Sequence, residues 1–178
     1  ALEALKTSEE KYRTLFENMV EGVFYQSAEG QLTDANPAAL EFLGISQTQF
    51  LSRKCGDAVW EVVDSNGDFL PPEQYPSNKS LRTGKTITNF ELGVVNPHDR
   101  TTRWLTINAM PQFKDNEKKP FRTFVTMHDS TGRKIASDKL KASERQYRKL
   151  FESLSDGFAL HEVILNESGE LVDFKYLA

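Results

Sequence analysis

The residues able to do chemistry are few and scattered. Cys55 is the single cysteine of the 178-residue chain, and the three histidines are His98, His128 and His161. No two of these four lie at the short spacings that hold a metal ion, so a structural zinc site is not expected. One thiol excludes an internal disulfide and fits a reducing, cytoplasmic compartment. Hydrolysis and group transfer find no carrier either. The chain lacks a glycine-rich phosphate loop, a nucleophile elbow and a His-Glu-x-x-His pattern. The fragment is therefore not read as an enzyme. What remains is a set of aromatic and polar residues suited to a small-molecule pocket: Tyr25, Trp60, Tyr75, Trp104 and Asn108. Pockets are largely apolar with a few placed polar groups, but the same aromatics would equally serve as core. Trp104 and Asn108 share one face of a strand, and alternation alone leaves open which face meets the helices.

The elements that must position these residues are legible from periodicity and punctuation. Residues 1–19 read as an amphipathic helix, with Leu2, Leu5, Tyr12, Phe16 and Met19 at 3-4 spacing. Such a stripe serves a coiled-coil seam or a helix lying on its own sheet. Val23–Ser27 and Gln31–Ala35 read as strands around the turn at Gly30. Asn36-Pro37 starts a helix, Asn as cap and Pro at the first helical position, and Gly44 closes it. Trp60–Val63 and Phe69-Leu70 flank Asn66-Gly67 and read as a small hairpin. Residues 73–83 are expected to be helical, with Pro76 in the first turn. Three strands follow, at 86–96, 103–110 and 121–128, and a charged helix runs from 130 to about 154. Two strands, short helices, then three strands is an α+β order with an antiparallel sheet.

The chain also repeats itself. Ser8–Gly22 returns at Ser143–Gly157 with eight identities in fifteen positions, including Tyr12-Arg13-x-Leu15-Phe16-Glu17 and Tyr147-Arg148-x-Leu150-Phe151-Glu152. The unit is domain-sized, too long for a solenoid. The second copy stops after about a third of its length, which reads as one whole module, a connector and the start of a second.

Together with the Gly30 hairpin, Asp34-Ala35-Asn36-Pro37-Ala38, Phe42-Leu43-Gly44, Arg103-Trp104-Leu105, Asn108-Ala109-x-Pro111 and Asp129-Ser130-Thr131-Gly132-Arg133-Lys134, this pattern resembles the PAS sensory domain family. Ser130 departs from the isoleucine usual there, in what reads as a spacer position. The resemblance implies a PAS fold: a five-stranded antiparallel sheet, short helices on one face, and flanking N- and C-terminal signalling helices. It divides the chain into a helix at 1–19, a PAS domain at 20–129, a connector helix at 130–154 and a truncated second PAS domain at 155–178. It implies a sensor of a small ligand or cofactor in a signal-transduction protein, with a histidine kinase or diguanylate cyclase further along the chain. It also implies a homodimer held by the flanking helices. The alternative is a structural, dimerising spacer with no ligand. Asp129 and Thr131 would tie the last strand to the connector helix and carry the signal.

The cofactor stays unknown. Arg53-Lys54-Cys55 sits near the position of the photoreactive cysteine in the flavin-binding light-oxygen-voltage subfamily, but the Asn and Gln side chains that read the flavin edge are missing. Haem needs an axial ligand, usually histidine, and 73–83 contains none. A net charge of −4 offers no basic footprint for nucleic acid. The longest apolar runs fall far short of the roughly 20 residues that span a bilayer.

Overall fold

The computed structural model describes residues 2–57, 60–96, 99–153 and 161–177; the side chains of Leu2 and Tyr176 are not among the described groups. His98, Ala58, Val59, Leu154 and residues 155–160 of the expected second domain lie outside this set. The chain divides into two compact units, residues 1–134 and 135–178.

In the first unit, α1 (Leu2–Asn18) leads into the antiparallel pair β1 (Gly22–Ser27) and β2 (Leu32–Ala35). Helices α2 (Pro37–Leu43) and α3 (Gln47–Leu51) follow, then the short β3 (Glu61–Val63), helix α4 (Pro76–Thr83) and the strands β4 (Ile87–Val95), β5 (Thr102–Gln112) and β6 (Arg122–Asp129). The sheet order is β2-β1-β6-β5-β4-β3, antiparallel throughout. This is the expected α+β class with one strand more than expected. Val62 pairs with Val94, so Glu61–Val63 extends the main sheet. Of the expected hairpin with Phe69 only an isolated bridge to Val63 remains. Valines buried on a sheet edge gain more than an isolated two-stranded ribbon provides.

Local signals explain the helix boundaries. Asn36 caps α2 through its side chain, and Gly44 ends it in the left-handed conformation at φ 66°. Ser46 and Gln49 form a reciprocal capping box on α3. α4 begins at Pro76, later than expected, because a residue before proline avoids the helical region; Tyr75 is extended at ψ 135°.

The core lies between the sheet and α2–α4. Phe24, Leu32, Phe50, Leu92, Leu105, Val125 and Met127 are buried there. On β5 the inward residues are Leu105, Ile107 and Ala109, so Trp104, Thr106, Asn108 and Met110 face outward. Within α1, Tyr12 stacks on Phe16 at 5.7 Å. Leu5, Leu15 and Met19 are exposed.

α5 (Thr131–Ser153) is continuous across the division between the units. Its 23 residues span about 35 Å at 1.5 Å per residue. Ile135, Leu140, Tyr147 and Leu150 along it are exposed. In the second unit, β7 (His161–Leu165) and β8 (Leu171–Tyr176) form a two-stranded antiparallel hairpin around Asn166–Gly169.

Candidate functional site

A cavity of about 70 Å³ opens between the sheet and the helices. Phe24, Leu92, Leu105, Ile107, Val125 and Met127 form its sheet side, and Leu43, Phe50, Trp60, Tyr75 and Ser77 close it from the other. Cys55 also lines it, with its sulfur 3.3 Å from the Ser77 hydroxyl.

Of the five residues expected to line a pocket, Trp60 and Tyr75 do so. Tyr25, Trp104 and Asn108 do not, and their grouping with the cavity is corrected. They occupy the strand parity that faces away from α2–α4, and each has other work there. Tyr25 packs on Phe124 at 5.2 Å, with the Arg122 guanidinium 4.6 Å over its ring. Asn108 receives the amide of Asn89 at 2.8 Å and donates to Thr126 Oγ1 at 3.1 Å. Asn89 sits in a bulge of β4 with φ 52°, and the clasp from Asn108 supports that strained turn. Trp104 lies under the Lys134 ammonium at 4.9 Å.

Burial pushes the Cys55 thiol up to about 11, partly offset by its contact with Ser77. The thiolate is the nucleophile, and at pH 8 only about one thiol in a thousand would be ionised. Alkylation of Cys55 by iodoacetamide at pH 8 should therefore run about a hundred-fold slower than that of an ordinary exposed thiol. A mass-spectrometric time course checks this; labelling at the ordinary rate would contradict the burial. Tyr75 is likewise pushed up to about 12 by burial. A cavity this small does not admit a flavin or haem ring without displacing core side chains, since ligand pockets for such molecules run to roughly 300–1,000 Å³. Among the described histidines, none lines the cavity.

The exit from the sheet is the second notable place. Ser130 donates its backbone amide to the Trp104 carbonyl at 2.9 Å, and its hydroxyl lies 3.3 Å from the same oxygen. Thr131 Oγ1 accepts the Trp104 amide at 3.0 Å. Asp129 Oδ1 accepts the Thr131 amide at 2.9 Å, satisfying one free N–H of the first turn of α5. The Ser130 carbonyl then accepts Lys134 N at 2.9 Å, the first bond of the helix. Both backbone groups of Trp104 are thus held by the start of α5. Trp104 adjoins Leu105, which lines the cavity.

Around this joint Arg103 lies 3.6 Å from Asp129 and 3.7 Å from Glu41 on α2, its guanidinium over the Phe42 ring. Arg133 bonds Glu91 at 2.7 Å, and Lys134 Nζ donates to the Ser65 carbonyl at 2.8 Å. Partial burial raises the Asp129 carboxyl, but the Thr131 hydroxyl and amide and Arg103 outweigh it and leave it below its ordinary 3.8. Its contribution is present above that ordinary value and is lost as the pH falls through the lowered one. Asp129 is therefore a fixed anion at neutral pH.

In the sequence Asp129 and Thr131 read as the joint and Ser130 as a spacer. Ser130 is in fact buried, and its partner lies 26 positions away. The only local hint was a serine where a helix begins. Arg103 belongs to the Arg103-Trp104-Leu105 motif, and its approach to Asp129, 26 positions on, leaves no local mark.

Comparison with known proteins accords with this architecture. Residues 10–77 match the model of the PAS domain. A sensory box sensor histidine kinase/response regulator domain from Geobacter sulfurreducens has the same fold (TM-score 0.51, 23% identity, 70% of this chain and 96% of that one). So does the PAS domain of an HTR-like protein from Haloarcula marismortui (TM-score 0.53, 17% identity, 72% and 96%). The fold is that of PAS domains, and residues 10–77 match their family model. The chain is 25% identical to sporulation kinase E of Bacillus subtilis over 96% of its own length, and spans 21% of that protein.

Proposed function

We propose that this chain is the sensor portion of a signalling histidine kinase, taking a small ligand between sheet and helices and passing the change through α5. Similarity to a region of sporulation kinase E favours a kinase over a diguanylate cyclase as the output. The observation that carries the reading is the double clasp of Trp104 by Ser130 and Thr131. A ligand that fits two shapes of the sheet unequally shifts their populations. A displacement of Leu105 then moves the neighbouring Trp104 peptide and with it the first turn of α5.

Exposed apolar residues at similar spacing on α1 and α5 suit a homodimer seam. Residues 155–178 read as the start of a second PAS domain. The support is the repeat, and the hairpin β7–β8, which follows α5 in sequence as β1–β2 follows α1. A structural spacer is the second reading, and the small size of the cavity favours it.

The test is made in the full-length protein. Asp129→Ala and Thr131→Val are expected to remove the response of autophosphorylation to its signal while the domain stays folded. Allosteric couplings are typically worth 5–150-fold, and the response ratio should collapse toward one. A normal response in both variants would show that the joint is not the transmitter.

A further inference from the structure

The walls of the cavity between sheet and helices expose almost no polar surface. Three of the polar side chains among the lining residues are already engaged. Cys55 Sγ and Ser77 Oγ form a hydrogen-bonded pair at 3.3 Å, and Trp60 Nε1 donates to the Leu43 carbonyl at 3.4 Å. The lining holds no carboxylate, lysine, arginine or histidine. Its titratable groups are Cys55 and Tyr75, which burial keeps neutral at pH 7. Gln26 Oε1 and Ser80 Oγ, the buried polar atoms without a partner among the described residues, lie outside the lining. Gln26 is tied instead to Asn78, its Nε2 donating to Asn78 Oδ1 at 2.7 Å.

Such walls select their guest by chemistry. A buried water needs about two to four polar partners, and almost none are offered here. A charged guest would meet no counter-charge. A guest with a hydroxyl or amide group would give up its bonds to water and make none in return. An apolar guest gives up nothing of that kind, and it gains dispersion contacts with walls that otherwise face a void. The cavity, at about 70 Å³, is about half of the roughly 150 Å³ that receives benzene, which sets the guest at roughly three carbon atoms.

Resting on the reading of this cavity as a ligand site, we infer that its ligand is a small apolar molecule without hydrogen-bonding groups, with the size and chemistry of a short alkane or alkene. It is recognised by volume and by the exclusion of polar analogues. A hydrophobic pocket disfavours an isostere with an added hydroxyl by up to about a hundred-fold. Leu105 lines the cavity and adjoins Trp104, so a guest pressing on Leu105 acts on the residue that the start of α5 holds.

The test titrates the full chain, labelled with ¹⁵N, with propane under pressure and with ethanol, in which a hydroxyl replaces one methyl group. Amide shifts of the lining residues are followed to saturation for each probe. Propane is expected to bind about ten- to a hundred-fold more tightly than ethanol. Val94→Phe fills the space and should abolish the propane shifts. Val94→Ile, which adds one methyl group, should weaken propane binding, and it stands as the second variant if Val94→Phe does not fold. Ethanol binding as tightly as propane would overturn the inference while leaving the ligand site in place. Propane binding undiminished in the Val94 variants would also overturn it, by placing the guest elsewhere. Failure of both probes to bind would overturn the ligand-site reading itself.

Discussion

Phe50→Ala is expected to lower the unfolding free energy of the first unit by about 3–5 kcal/mol, the range for a buried phenylalanine cut to alanine. Phe50 is fully buried, and its ring meets Phe24 edge-on at 5.8 Å and 72°. It sits in α3, a helix of five residues in which Phe50 is the buried side chain. The space it fills adjoins the existing cavity, so truncation enlarges a void instead of letting the walls collapse. Both tryptophans, Trp60 and Trp104, belong to the first unit, so urea denaturation followed by tryptophan fluorescence reads this domain. A loss below about 1.5 kcal/mol would mean that α3 repacks easily, which a closely packed core does not allow.

Asn36→Ala is expected to cost about 2–4 kcal/mol, through lost hydrogen bonds with little change in packing volume. Asn36 is fully buried. Its Oδ1 accepts the amides of Val23 at 2.8 Å and Ala39 at 2.9 Å, and its Nδ2 donates to the Glu21 carbonyl at 2.8 Å. One residue thus caps α2 and ties it to the entry of β1. Loss of a cap costs about 1 kcal/mol, and a buried backbone group left unmade costs about 1–3 kcal/mol. The same denaturation experiment checks the figure. A change below 1 kcal/mol would imply that water replaces the amide, which would in turn require α2 to lift from β1.

Asn36 also marks how far local signals reach. Asn-Pro before an apolar helix and Gly44 after it act within a few residues, and both boundaries of α2 follow from them. β3 did not follow. Asn66-Gly67 correctly signals a turn, yet the partner of Glu61–Val63 is β4, some thirty residues on, and pairing of that reach leaves no local mark. The face of β5 was undecidable for a similar reason. Trp104 and Met110 on one side and Leu105 and Ile107 on the other are all apolar enough to be core. Only the placement of α2–α4 decides between them, and it moves Trp104 and Asn108 away from the cavity.

Gln26 and Ser130 show the same limit at single residues. A glutamine in a strand and a serine before a helix look ordinary. Their roles come from Asn78 and Trp104, far away in sequence. Asp129 and Thr131, by contrast, stand within the exit motif Asp129–Lys134 and bond each other two positions apart, a reach that a sequence pattern covers.

The central claim is that the cavity and the start of α5 move together through Trp104. Val94 lines the cavity, and Val94→Ile adds one methyl group to it. Amide resonances of residues 130–133 should be compared in the native chain, in Val94→Ile, in Thr131→Val and in the double variant. The account predicts that Val94→Ile shifts the amides of Ser130, Thr131, Gly132 and Arg133, and that the shift is largely lost when Thr131→Val is already present. Shifts confined to residues around Val94, with the amides of 130–133 unmoved, would contradict it.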